Sequence, residues 1–487
     1  MNKQKKTYLS LLISFLIILI FGKLLPASNG LTNEGLWTLG IFIAALIMWT
    51  TISISWPCLI VLFFLGLLPS VGYQNAFIGT FGNSTLAFLI FTFALVYPLS
   101  QTNFIRRCTI ALITNPIAKK SPWRFVIFLF TAITFLGLFI SPTVLMVTFM
   151  PFLLDIFKVL HIEKGSKVGS MITMGSVFCI NLSSGMTAIA HVWPTLAISF
   201  YKGATGKEIS QFQYMLVGIP LGILIMIGML LIFRFIYYPK NINNINLRSV
   251  EKLKGAVSPA DRKEKIVLAT MLLTVILWVV PSFIKGILPT VYTTISGWTT
   301  AFPPLLGCII LMVINIDGKS ILNFNEVTTK GISWSSVLMV GVASELGNIL
   351  TAKPMGIETW LTNVLSPIAK GLPEMLLVLF FVVWCVIETN FSSSIVTTTI
   401  VSSIAISIIT SLKGSANGVS LAAIIALIGF GVGISNMTPA GQAGVNPIAI
   451  GTGYTSTKDM LIWGGIFAVI SIVLITSVGY PLAKAIL

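Results

Sequence analysis

The chain has 487 residues, of which 56% are hydrophobic and 9% charged, with a mean hydropathy of +0.97 and a formal net charge of +16. So apolar a composition excludes a soluble multidomain protein and sets the chain in a bilayer. The positive charge does not mark a nucleic-acid binder. With the N-terminus placed in the cytoplasm, most Lys and Arg collect on that side, in Lys3–Lys6, Arg106–Arg124, Lys158–Lys167, Arg234–Lys265, Lys319, Lys330 and Lys458. That is the positive-inside pattern of a multi-pass protein of the cytoplasmic (inner) membrane, with its C-terminus outside.

In chain order, the basic start and the apolar run after it resemble a signal peptide. Leu25-Pro26-Ala27-Ser28 is a poor cleavage site, however, so a retained first span over 8–26 is expected. Further spans are expected over 35–53, 54–70 and 79–101, followed by an amphipathic interfacial stretch between Arg106 and Lys120. The next apolar region, 122–160, has basic residues at both ends, which one straight span cannot place on the same side. A re-entrant hairpin turning at Ser141-Pro142-Thr143 resolves this, because Pro142 lacks an N–H and disfavours helix in the residue before it.

A broken span over 167–202 follows, with its interruption expected at Asn181-Leu182-Ser183-Ser184-Gly185, and then a span over 211–236. These elements make a first repeat, 1–240. The charged, Asn-rich segment 241–263 reads as a cytoplasmic linker. The second repeat, 264–487, reproduces the plan: spans at 264–287, 295–316 and 331–350, an interfacial piece around Trp360, a hairpin over 373–412, a broken span over 417–452 and a last span over 459–485. The polar residues carry the duplication. Ser141, Thr148, Ser184, Met186 and Thr187 recur 251 positions later as Ser392, Thr399, Ser435, Met437 and Thr438. The second hairpin opens from the opposite side, so the repeats are inverted, and paired interrupted segments in two halves point to a secondary transporter's binding site.

The five cysteines are scattered without Cys-x-x-Cys spacing and read as small core residues, so neither a disulfide framework nor a metal site is expected. Three ionisable side chains fall well inside apolar stretches, His191, Glu345 and Glu388, and such residues are functional candidates because charge at membrane depth is costly. Glu388 stands four residues before Ser392, on the same helix face as the second break. For Glu345 an interhelical hydrogen bond is the plainer reading, and His191 divides between a ligand for an anion and a satisfied core histidine. The hydroxyl clusters say more: helix N-termini at four breaks, completed by Ser and Thr, form two facing cradles that suit a molecule with a negative group at each end.

At these residues the chain resembles the divalent-anion:sodium symporter (DASS) family of dicarboxylate carriers. Ser141-Pro142-Thr143 followed by Met150-Pro151 is similar to that family's first tip, Ser-Asn-Thr followed by a Leu-Pro pair, and Ser392-Ser393-Ser394 falls where its second Ser-Asn-Thr belongs. Asn446-Pro447-Ile448-Ala449 and Gly451-Thr452-Gly453-Tyr454 resemble the region after its second broken helix. The resemblance implies an all-α polytopic fold of about eleven spans and two hairpins, a homodimer, and a scaffold with a mobile transport domain that moves as an elevator. With the tips and breaks matched in this way, substrate contacts are expected at Ser141, Pro142, Thr143, Thr187, Ala188, Ser392, Ser393, Ser394, Thr438, Ala443 and Gly444, with Asn446 as a coupling candidate; the buried charges add His191 to the contacts and Glu388 to the coupling candidates. The sequence departs from the family where an Asn of each tip helps bind sodium: Pro142 and Ser393 stand there instead. Sodium-independent exchange of C4/C5 dicarboxylates is therefore the expectation, with a sodium- or proton-coupled symporter as the alternative. A membrane-embedded enzyme would need a nucleophile and base or a metal cluster, which two lone Glu and one His do not provide, and no cofactor is expected.

Overall fold

The computed structural model describes residues 3–27, 30–256, 258–284, 287, 298–357, 359–360, 363, 373–411 and 418–487. It is 78% helical, with one two-stranded ribbon, Asn315–Ile316 paired with Lys319–Ser320. Among the described residues ten helices are long and apolar enough to cross a membrane. The expected span start at 295 and the boundaries at 412 and 417 lie outside the described residues.

Helix α1 (Lys3–Leu19) runs through a π-turn to Leu24 and packs along α2 (Asn33–Thr51). The expected third span, 54–70, holds one helix, α3 (Pro57–Gly66), too short to cross a bilayer. A turn at Leu67–Val71 ends it and α4 (Gly72–Phe81) follows, each helix of ten residues and so about 15 Å long, half a bilayer. Gly72, at φ +69°, makes the reversal. Helix α5 (Ser84–Ser100) follows, capped by Asn83, and α6 (Phe104–Ile113) is the strongly amphipathic piece.

The first hairpin is α7 (Pro122–Gly137) and α8 (Pro142–Val159). Ser121 caps α7 by accepting from the Arg124 N–H, and Pro142 is the first residue of α8, where its missing N–H costs nothing. Helices α9 (Lys167–Met186) and α10 (Val192–Thr205) form the first broken span, and α11 (Gln211–Ile232) returns. The charged segment after it winds in 3-10 turns over 240–244 and 247–256.

In the second half α12 (Arg262–Ile284), α13 (Phe302–Val313) and α14 (Trp334–Thr351) precede the second hairpin, α15 (Glu374–Phe391) and α16 (Ser394–Ser411). Then come α17 (Leu421–Gly431), the short α18 (Asn446–Gly451), and α19 (Thr457–Leu474), which continues through a π-turn into α20 (Tyr480–Ile486). The core lies where the broken spans meet. Helix α9 is wholly enclosed by protein, and α10 packs on α14, α16 and α17. Lipid therefore does not reach the polar residues of α9, which is what permits Asn181, Ser183 and Ser184 at membrane depth.

Candidate functional site

The first break does not fall at Asn181–Gly185. Helix α9 continues to Met186, and the chain leaves helical geometry only at Thr187–His191. The hydroxyls expected to break the helix instead bond within it: Ser183 donates to the Ile180 carbonyl at 3.0 Å and Ser184 to the Asn181 carbonyl at 2.5 Å. Such back-bonding leaves the main-chain ladder intact.

Each hairpin tip is tied to the break of its own half by the same kind of bond. Thr187 Oγ1 donates to the Leu138 carbonyl at 2.7 Å, which fastens the first tip to the first break. Thr438 Oγ1 donates to the Asn390 carbonyl, which fastens the second tip to the second break. The second joint is the more elaborate. Asn390 Nδ2 donates to the Ile434 carbonyl at 2.6 Å, and its Oδ1 accepts from the Met437 N–H at 2.7 Å. Thr389 Oγ1 lies 2.9 Å from Ser394 Oγ and donates to the Val432 carbonyl at 3.0 Å.

The two halves are also joined to each other. Asn181 Nδ2 donates to Asn436 Oδ1 at 2.8 Å and to Asn446 Oδ1 at 3.1 Å, and all three side chains are fully buried. Asn446 Nδ2 in turn donates to the carbonyls of Ser435 at 2.8 Å and Thr438 at 2.7 Å, which fixes its amide orientation. Behind this knot α9 and α17 touch through glycine: a Cβ at Gly185 would stand 2.5 Å from the Phe430 carbonyl oxygen. Across the front, a Cβ at Gly444 would run into Thr143, so the second loop reaches the first tip.

The fold therefore gathers Thr143, Thr187, Ser394, Thr438, Gly444 and Asn446 into one connected region. Ser141 caps α8 through its backbone alone, with no side-chain cap bond, and Pro142 is buried as the helix's first residue. Ser392 Oγ and Glu388 Oε2 are buried atoms without a hydrogen-bond partner. Ser393 begins the turn into α16, and Ala443 lies exposed on the second loop. Ala188 faces inward, its carbonyl accepting from Thr195 Oγ1 at 2.9 Å. His191 heads α10 with its ring stacked on Trp193, centroids 3.4 Å apart, and its Nδ1 has no partner. Glu345 stands apart, where α4 packs on α14, with Asn348 Nδ2 at 3.5 Å. Sequence reasoning missed Asn181, Thr389, Asn390, Asn436 and Gln442. The signal for Asn390 was its place two residues before the Ser triplet, and Gln442 carries an unpartnered Nε2 on the second loop. Among the described residues no three His, Cys, Asp or Glu gather as a metal site.

Two hairpins pinned to two broken helices, in a bundle of membrane-crossing helices, define a secondary-transporter fold. The family model for the sodium:sulfate symporter transmembrane region matches residues 3–485, and the chain belongs to that family, the DASS family, whose members are transporters and not enzymes. It is similar to a sodium-dependent dicarboxylate transporter of Staphylococcus saprophyticus, at 23% identity over 97% of this chain and 90% of the relative. It is also similar to a citrate/succinate antiporter of Escherichia coli, at 22% identity over 65% and 60%. Among solved structures, the YdaH transporter of Alcanivorax borkumensis shares the fold, with a TM-score of 0.56 at 14% identity over 98% of both chains.

Proposed function

We propose that the protein exchanges C4/C5 dicarboxylates such as malate, succinate or 2-oxoglutarate across the cytoplasmic membrane, without sodium. The observation that carries this reading is the repeated joint. Thr187 to Leu138 and Thr438 to Asn390 tie a hydroxyl-bearing tip to an irregular loop in each half, and the Asn181–Asn436–Asn446 knot holds the two assemblies together. Beside each joint a tip hydroxyl stays free among the described residues, Ser141 in the first half and Ser392 in the second, and such uncharged donors suit one carboxylate each. The relatives named for dicarboxylates, one of them an antiporter, support the same substrate class.

In this reading residues 1–240 and 264–487 are inverted repeats joined by 241–263. The hairpins, broken spans and α11 with α19 form a transport domain that slides along a scaffold of α1–α5 and α12–α14 in a homodimer. The basic residues that follow α5 (Arg106 and Arg107), begin α9 (Lys167) and follow α11 (Arg234) face the cytoplasm. Exchange follows because an empty polar site is costly to carry past the apolar scaffold. Counterflow decides it: proteoliposomes preloaded with unlabelled succinate should accumulate labelled malate at the same rate with or without sodium. Uptake that internal substrate fails to accelerate overturns exchange.

A second reading, cation-coupled symport, is favoured by one observation: Glu388 Oε2 is buried and unpartnered beside the second tip. In that case uptake into empty proteoliposomes follows an imposed sodium or proton gradient, and Glu388→Gln abolishes the dependence.

A further inference from the structure

A partly open cleft of about 140 Å³ lies between the first tip and α5. It is not enclosed by the two tips. Ser141, Ile189 and Ala190 form one wall, Thr92, Tyr97 and Ser100 of α5 form the other, and Lys330 stands at its mouth. The volume exceeds the roughly 30 Å³ of one water several times over. Thr92 is 3% exposed, and its Oγ1 has no hydrogen-bond partner among the described residues. Many buried hydroxyls on the membrane helices bond back to their own turn, as Thr274 and Thr399 do at 3.0 and 2.9 Å, whereas Thr92 shares its lack of a partner with Thr80, Thr173 and Thr397 and differs from them in lining this cleft.

The charges at the mouth are unevenly engaged. Glu326 is occupied by the Tyr97 hydroxyl at 3.0 Å and Gln101 Nε2 at 3.2 Å. Lys330 Nζ is 3.8 Å from the same carboxylate, beyond hydrogen-bond reach, with a side chain 69% exposed. Lys330 is thus a cation held over the cavity, with donors to spare. Phe93, Val96 and Val144 add apolar lining to the same cleft.

We infer that this cavity is a second anion subsite, used at the cytoplasmic face, in which Thr92 and Ser141 hold one carboxylate of a short dicarboxylate while Lys330 attracts the other. The inference rests on the dicarboxylate reading and adds two residues outside the tips and breaks to substrate handling. It predicts sidedness, since Lys330 guards only one mouth.

The test measures succinate KM separately at each face, in right-side-out and inside-out vesicles. Lys330→Gln should raise the ratio of cytoplasmic to external KM by about 3- to 10-fold, the scale of a screened charge pair, and Lys330→Arg should restore it. Thr92→Val keeps the side chain's shape and should raise the ratio about fivefold, the scale of one hydrogen bond. Ratios unchanged in both Lys330→Gln and Thr92→Val, or KM raised equally at both faces, overturn the subsite while leaving the tips and breaks untouched. Wild-type vesicles that exchange no succinate overturn the dicarboxylate reading itself, and the subsite with it.

Discussion

Replacing Asn390 with Ala tests the joint between the second tip and its loop. The amide serves two main-chain groups of an irregular segment, accepting from the Met437 N–H and donating to the Ile434 carbonyl. It also donates to the Val386 carbonyl, but that group sits in a helix and keeps its own ladder bond. Hydrogen bonds between membrane helices average only about 0.6 kcal/mol, because the separated helices find other partners. A loop carbonyl and a loop N–H at membrane depth have no such recourse, so the larger scale of about 1–3 kcal/mol for each orphaned group applies. Ile434 is fully buried and Met437 partly so, which places the sum near 2–4 kcal/mol. The melting midpoint in detergent, followed by size-exclusion fluorescence, should fall well below that of the parent, and succinate KM should rise at least tenfold as the loop bearing Thr438 loses its anchor. Asn75, whose amide bonds only its own helix on the exposed α4, is the control, with Asn75→Ala within about 0.5 kcal/mol of the parent. An Asn390→Ala variant with the parent's midpoint and KM would refute the claim that this amide holds the site.

Thr187→Val should weaken substrate binding by about tenfold, because the Leu138 carbonyl at the first tip loses its donor, and Thr187→Ser should recover most of it in the same KM measurement. Gly185→Val places a branched side chain against the Phe430 carbonyl; overpacking of this kind costs about 1–3 kcal/mol or more, so folded protein recovered after membrane extraction should drop steeply. Arg107 holds Glu264 through two bonds, at 2.6 and 3.0 Å, and Glu264 is 2% exposed. Arg107→Ala should cost about 3 kcal/mol, the low end for a buried pair since the Arg is partly exposed. The double variant Arg107→Leu/Glu264→Leu should recover most of this in a thermal-melt cycle, because the uncompensated carboxylate is gone.

The hairpins were legible because their signals are local. Ser121-Pro122 starts a helix and Ser141-Pro142 stops and restarts one, whatever surrounds them. The third span was misread for the opposite reason: the apolar run 54–70 has the composition of a span, yet the turn at Leu67–Val71 reverses the chain after ten helical residues. Asn181, Ser183 and Ser184 misled in a third way. Their composition favours a break, but full burial against α17 makes helix the only way to satisfy that backbone, and the hydroxyls bond inside it. The Asn181–Asn436–Asn446 knot spans 255 to 265 residues of sequence, and no local pattern reveals that three amides converge.

The 251-residue echo also explains why the two half-sites are not equivalent. The echo pairs Thr187 with Thr438, and each threonine holds its tip at nearly the same separation, 49 residues back in one half and 48 in the other. The surroundings diverge. The first break is short, Thr187–His191, and every residue from Thr187 to Ala190 is buried. The second runs from Val432 to Val445, with Pro439, Ala440 and Ala443 exposed. A short buried loop can adapt to a ligand only by moving the helices on either side, whereas a long exposed one can adapt alone. In the proposed exchange, differences in substrate length should therefore be absorbed at Thr438–Gly444, with the first tip, which Thr187 holds in place, as the fixed point.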